Sequence, residues 1–589
     1  MSEAGAELLV FNGLNAVTGG YLTATTNAEL ARVALGIDLE RNRDDINALS
    51  FRASQAQHAA INADTKELSE TGWCIVFPYN ADPQLKEALK PLIDLRREQA
   101  GRLFKLYEGP DGYRPGENKH EFVHRHGAPV SGPVDAEKIP YYMLLVASPE
   151  EIPYSFQYQM NVQYAVGRIY FETLEEYTRY ARSVVTAETV MTPLPRSMSF
   201  FASKNEGDVA TNEGADKMVL PLATQVLPDL MRQTIAVETE KAQAYRAKGR
   251  EALAQLNDEL IAIARDWHFS TSVGEDAYKS DLQAMLGGAA TPAVLFTSTH
   301  GIGFPTNHQY QYSDQGALVC QDWPGPRRWR GQVGRDFYFG AHDLPDDANL
   351  LGSMAFFFAC YGAGTPRYDE FAFHRDQLPE IAPRPFLAQL PLKMLSHPSG
   401  GMLAVISHVE RAWGYSFLYE GVPQLNTFKE LFQYLLLEGQ PIGAAMEWFS
   451  LRFAETATDL TSELHDLKIP GLGKRVNEAK LARLWTTHND ARGYVIIGDP
   501  AVHLNVAGLG SNRATRPTLE AFTAGASGVV QRAAVVDEPL AFVRTHKPAQ
   551  AVLFAGAHRH LGPPGLLKLL RRHHARTVWR YPTAQRGDQ

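Results

Sequence analysis

Cysteine is nearly missing from this chain: three residues in 589. That is too few for a disulfide framework, so a reducing cytoplasm is the expected location. Positive charge is not in excess either. A net charge of -9 and a pI near 6.1 exclude a general basic field, and with it nucleic acid or an anionic membrane surface as the main partner. No uninterrupted apolar run is long enough to cross a bilayer, and Met1 to Glu7 carry acids but no Lys or Arg, unlike the head of a secretory signal. Internal repeats and low-complexity tracts are lacking. No Gly-rich nucleotide fingerprint follows a strand, and Gly414 to Leu418 departs from the Gly-x-Ser-x-Gly elbow of serine hydrolases. His558-Arg559-His560 and His573-His574 lack the carboxylate or Cys partners of a closed zinc site, so no metal or cofactor is expected.

What is present is a chain 44% hydrophobic, long enough for two or three domains with large cores. Short apolar runs ended by Gly or turn residues alternate with amphipathic stretches. This is the pattern of an α/β protein with a doubly wound, mostly parallel sheet. Gly72 to Phe77 reads as a strand. Asp82-Pro83 opens a helix towards Tyr107, with a kink at Pro91. Tyr141 to Ala147 is a second strand, and Thr173 to Glu176 is a capping box for a helix to about Ala187. The Pro-containing segment before Arg196 suggests a boundary near residue 195. Met198 to Ala202 then starts a second unit, with helices over Lys217 to Arg232, Glu238 to Ala264 and Lys279 to Leu286. Gln309 to Asp347 is too irregular for assigned elements and reads as a functional loop. Met402 to Ile406 and Tyr494 to Ile497 are the last strands. The expected organisation is an N-terminal α/β subdomain (1–195), a second α/β subdomain (196–505) and a small C-terminal extension (506–589).

Two runs stand out chemically. Pro292 to Gly301 is a short apolar run ending in His300-Gly301, and Ser353 to Gly364 is another that leads to Cys360 and a Gly-rich turn. In open α/β sheets ligands meet side chains just past the carboxyl ends of strands, so if these two strands are neighbours, a thiol and an imidazole share one crevice. Cys360 would be the nucleophile and His300 the general acid and base. Gly301 lets a substrate approach the backbone closely, and the N–H groups of Gly301 and Cys360 could hold the oxyanion. Cys320 reads as a packed thiol. His408, the alternative base, lacks a following Gly.

The order Leu144 to Val146 with Ile152-Pro153, Val166 to Arg168, the Ala202 to Asp216 loop, the His300 and Cys360 strands, Gly401 to Trp413 and Gly498-Asp499-Pro500 resembles the gingipain-type cysteine peptidases of the caspase clan over roughly Tyr141 to Leu504. The resemblance implies caspase-like sheets in two packed subdomains and a cysteine endopeptidase working through an acyl-thioester. It places Glu206, with Asp208 as rival, on the histidine. It puts Asp216 at the base of the P1 pocket, which implies cleavage after Arg or Lys. Asp216 also reads as an N-cap of the following helix. Trp413, with Ser407 and His408 in the same block, falls on the substrate side. The chain departs from gingipains in lacking a recognisable export signal and in its longer Gln309 to Asp347 segment. The expected partners are a polypeptide substrate and a regulatory protein or ligand that gates the site. The alternative is a non-proteolytic scaffold or sensor acting by binding.

Overall fold

The computed structural model describes residues 13–21, 31, 63–190, 193–287, 291–371, 379–468 and 476–507, all within the unit Met1–Val535. The strands used below are β1 (Gly13–Asn15), β2 (Trp73–Val76), β3 (Phe104–Tyr107), β4 (Tyr142–Val146), β5 (Ala165–Ile169), β6 (Ser197–Ala202), β7 (His268–Val273), β8 (Val294–Ser298), β9 (Gly301–Gly303), β10 (Leu318–Val319), β11 (Tyr338–Phe339), β12 (Met354–Phe358), β13 (Ala404–His408) and β14 (Tyr494–Gly498). Ten of them form one sheet in the order β3-β2-β4-β5-β14-β13-β12-β8-β6-β7. Every pair in it is parallel except β13 with β14. The fold is therefore mixed α/β with a large, mostly parallel sheet. The strands before and after residue 195 are joined edge to edge through β5 and β14 rather than forming two separate sheets.

The continuous apolar runs become strands because helices cover both faces and leave no solvated side to demand alternation. Register places Phe200, Phe296 and Phe356 side by side on β6, β8 and β12. Their ring centroids are 5.5 and 5.1 Å apart, and Phe428, Phe432 and Phe449 from the helices Asn426–Phe432 and Glu447–Lys468 pack onto them. Full burial of each such side chain contributes about 1.5–3 kcal/mol. This ladder fixes the height at which β8 and β12 end, and so where their terminal residues stand.

The junction between the two sets of strands is polar. Arg96 donates two hydrogen bonds to Glu188 and one to Asp499, each 2.7 Å, and Asp499 also accepts Trp73 Nε1–H at 2.9 Å. Asp499 thus ties the chain leaving β14 to the N-terminal elements.

Several local expectations change. The helix read from Asp82 to Tyr107 is two helices, Pro83–Ala88 and Lys90–Ala100, followed by β3, because Pro91 starts a new helix where its missing N–H costs nothing. The helical residues after Asp208 run on to Ala247 and resume over Glu251–Asp266, so the break falls near Gly249 rather than between Arg232 and Glu238. β5 and β7 are additional to the expected strands; β5 is fully buried and β7 is an edge strand with a half-exposed pattern. The segment Gln309 to Asp347 holds β10 and β11, which join β1 and β9 in a small sheet of order β1-β9-β10-β11. Two-residue strands carry too short a periodicity to be read. Among the described residues no helix is long and apolar enough to cross a membrane.

Candidate active site

β8 and β12 are hydrogen-bonded neighbours with Ser298 opposite Phe358. His300 and Cys360 each lie two residues beyond that matched pair, at the same edge of the sheet. The loop after β12 touches the residue after the histidine: a Cβ on Gly301 would stand 1.8 Å from the Cys360 carbonyl oxygen. Only glycine allows that approach. The His-Gly step is thus required by where the Cys360 backbone runs.

His300 is fully buried, and its Nε2 lies 2.5 Å from Asp208 Oδ2. Asp208 accepts three more hydrogen bonds: from Tyr21 Oη at 2.6 Å, Thr211 Oγ1 at 2.9 Å and the Ala210 N–H at 3.2 Å, the last because it N-caps the short helix Val209–Glu213. Burial works to raise the Asp208 carboxyl, but His300, Tyr21 and Thr211 together hold it below the usual carboxylate range. A carboxylate so placed fixes the ring and the tautomer, with the proton on Nε2. Nδ1 is buried without a hydrogen-bond partner. The rings of Tyr21 and Trp323 meet the imidazole edge-on, both with centroids 5.8 Å away.

Cys360 is also fully buried. Its sulfur accepts the Ala412 N–H at 3.2 Å. Burial pushes the thiol far up, more than that N–H and the Arg411 charge bring it down. Two non-glycine residues in the left-handed region flank it: Tyr361 (φ 58°) and Glu410 (φ 66°), with the Tyr361 N–H donating to the Glu410 carbonyl at 2.5 Å. Such backbone costs about 1–3 kcal/mol per residue and is held by its surroundings. One of these surroundings is a buried charge cluster absent from the sequence reading, in which Arg411 forks onto Asp369 at 2.7 Å on each oxygen and onto Glu410 at 2.6 Å. Its signal was no more than a Glu-Arg pair after a buried strand.

The remaining candidates are placed as follows. Asp208, not Glu206, meets the histidine; Glu206 is exposed and pairs with Arg328. Asp216 is exposed and pairs with Lys204 at 2.7 Å, so it neither floors a buried pocket nor caps the helix, which already began at Val209. Ser407 donates to the Phe357 carbonyl at 2.9 Å, which binds β13 to β12. His408 sits with Nε2 2.8 Å from the Asp490 carbonyl and its ring edge on Tyr494, and burial lowers its basicity. It supports the helix Glu478–Arg492 rather than the cysteine. Trp413 is buried against Phe371, and its backbone N–H is held by Asp490. Cys320 is a buried thiol. The paired histidines of the tail lie outside the described residues. Among the described residues no group of three or more metal-ligating side chains is gathered.

No protein-family model matches the sequence, and no curated protein does. Solved structures give low likeness. The crystal structure of the Arg-specific cysteine proteinase gingipain R (RgpB) aligns at a TM-score of 0.36 and 11% identity, over 75% of this chain and 80% of that one. The complex of Porphyromonas gingivalis RgpB pro- and mature domains aligns at 0.34 and 12%, over 74% and 80%. A structure described as a protease aligns at 0.39 and 14%, over 75% and 80%.

Proposed function

We propose that the chain is a cysteine endopeptidase held in a closed state, with Cys360 as nucleophile, His300 as acid and base, and Asp208 as the carboxylate that orients the histidine. The observation that carries this reading is the fully buried Asp208–His300 contact at 2.5 Å, which leaves one unpartnered ring nitrogen at the sheet edge where Cys360 also stands. In the open state Nδ1 takes the thiol proton and the sulfur attacks the peptide carbonyl carbon. The protonated imidazole then gives its proton to the leaving amine, which leaves an acyl-thioester. Water, deprotonated by the same nitrogen, attacks that ester, releases the carboxylic acid and restores the thiol. The N–H groups of Gly301 and Cys360 are the proposed oxyanion donors.

Closure is part of the proposal. The sulfur is turned onto Ala412, so the 409–413 turn has to move before a substrate can enter, and a partner or ligand is the proposed trigger. A preference for Arg or Lys through Asp216 would require the substrate's basic side chain to displace the Lys204 ammonium that Asp216 holds. Turnover of peptidyl-Arg and peptidyl-Lys fluorogenic substrates by the wild type, Cys360→Ala and His300→Ala tests the reading. Both variants are expected to lose nearly all activity, and rates equal to wild type would remove the assigned nucleophile. A sealed, protonated thiol also favours a second reading, a non-proteolytic protein that uses this fold for binding. Persistent inactivity of wild type across substrates and cell extracts would select it.

A further inference from the structure

Nothing in the composition or motifs of the first residues pointed to the site, yet the chain brings them there. β1 pairs in parallel with β9, the strand that opens at Gly301, with Gly13 opposite Gly301 and Leu14 opposite Ile302. Asn15 Oδ1 then accepts the N–H groups of Val17 and Thr18 and reverses the chain. Gly19 passes in the left-handed region (φ +66°), where a Cβ would stand 2.5 Å from the Gly331 carbonyl oxygen. The turn returns Tyr21 to a bridge opposite Leu14. Its phenol ring there meets His300 edge-on, and its hydroxyl donates to Asp208 Oδ1 at 2.6 Å. The opposite oxygen, Oδ2, is the one that faces the histidine.

We infer that Tyr21 is a positioning residue of this site and that residues 13–21 are a working part of it rather than a removable cover. The inference rests on the peptidase reading of the site. Asp208 has two oxygens, each with two donors. Tyr21 and the Ala210 N–H hold Oδ1, and Thr211 and His300 share Oδ2. Taking the phenol away weakens the hold on Oδ1, left with a single backbone donor at 3.2 Å and so less fixed about the Cβ–Cγ bond, and concentrates more negative charge on Oδ2, where Thr211 and His300 remain. The first effect misplaces the imidazole relative to Cys360. The second strengthens the pull on the Nε2 proton.

The test is Tyr21→Phe, which keeps the ring and removes only the hydroxyl. Turnover should fall about tenfold in kcat with KM little changed, because a positioning contact acts on the reacting groups and not on substrate binding. In an Asp208→Asn background the same change should cost nothing further, since the group it acts through has gone. Independently of turnover, the low-field proton NMR resonance of the His300 Nε2–H should move further downfield in Tyr21→Phe, measured in Cys360→Ala so that no chemistry intervenes. An unmoved resonance, or losses that multiply in the double variant, would overturn the inference. If the wild type shows no Cys360-dependent turnover, the peptidase reading fails, and the proton resonance still decides whether Tyr21 acts on the pair.

Discussion

At the scale of residues, the site is defined by what each polar group touches. The Cys360 sulfur meets the N–H and carbonyl of Ala412, and its thiol is pushed up by burial, so in the closed state it is a poor nucleophile. Iodoacetamide at neutral pH should therefore label Cys360 at least about 100-fold more slowly in the native protein than in urea, as read by mass spectrometry. Rapid native labelling would show that the closed state is not the resident one. Gly301 sets a second expectation. A methyl group there meets the Cys360 carbonyl, so Gly301→Ala should cost about 1–3 kcal/mol or more, seen as a lower urea midpoint. A neutral effect would mean that the two loops are not apposed as described. Asp208 was legible only as a rival to Glu206, because spacing along a loop does not say which of two acids two residues apart turns inward. Thr211 and Tyr21, which finish the carboxylate's shell, decide that.

At the scale of elements, the contact that joins β14 to the N-terminal strands is the Arg96, Glu188 and Asp499 network. Removing one member of a buried, paired set leaves charge without a partner, and Arg96→Met should destabilise by about 3–5 kcal/mol in urea unfolding. Glu188 adds a pH dependence. Burial alone would raise its carboxyl, but Arg96 overrides that and holds it below the ordinary range. A carboxyl depressed in the folded state binds its proton more weakly there than in the unfolded chain. Its contribution is therefore complete above the unfolded value of about 4.3 and is lost as pH falls through the lower folded value. Glu188→Gln should accordingly lose less stability than wild type when the pH is taken from 7 down to about 3. An equal loss in both proteins would assign the acid sensitivity elsewhere. Gly498-Asp499-Pro500, a block of the resemblance to the peptidases, does structural work, with Asp499 holding Arg96 and Trp73.

At the scale of the whole molecule, one sheet of ten strands crosses the boundary expected near residue 195. Hydrogen exchange should show the central amides of β4 and β12 opening with the same free energy, as members of one cooperative body. Markedly earlier exchange in β4 would restore two independent units. The other expected boundary, at 505, falls within a pairing: Val506 and Ala507 lie parallel to Leu194 and Pro195, so a chain trimmed to test the C-terminal extension should end after Ala507.

Most of the buried strands, the α/β class and the candidate pair His300 and Cys360 were determined by the sequence alone, because a run of apolar residues ended by glycine has few ways to be satisfied other than as a covered strand; β3, β5 and β7 were not. The neighbourhood of β8 and β12, the choice of Asp208 over Glu206, the surface pairing of Asp216 and the arrival of Tyr21 were decided only by the tertiary structure. Each depends on groups from 12 to 187 residues apart meeting in space, and hydrogen bonds over such separations leave no period in the sequence to read.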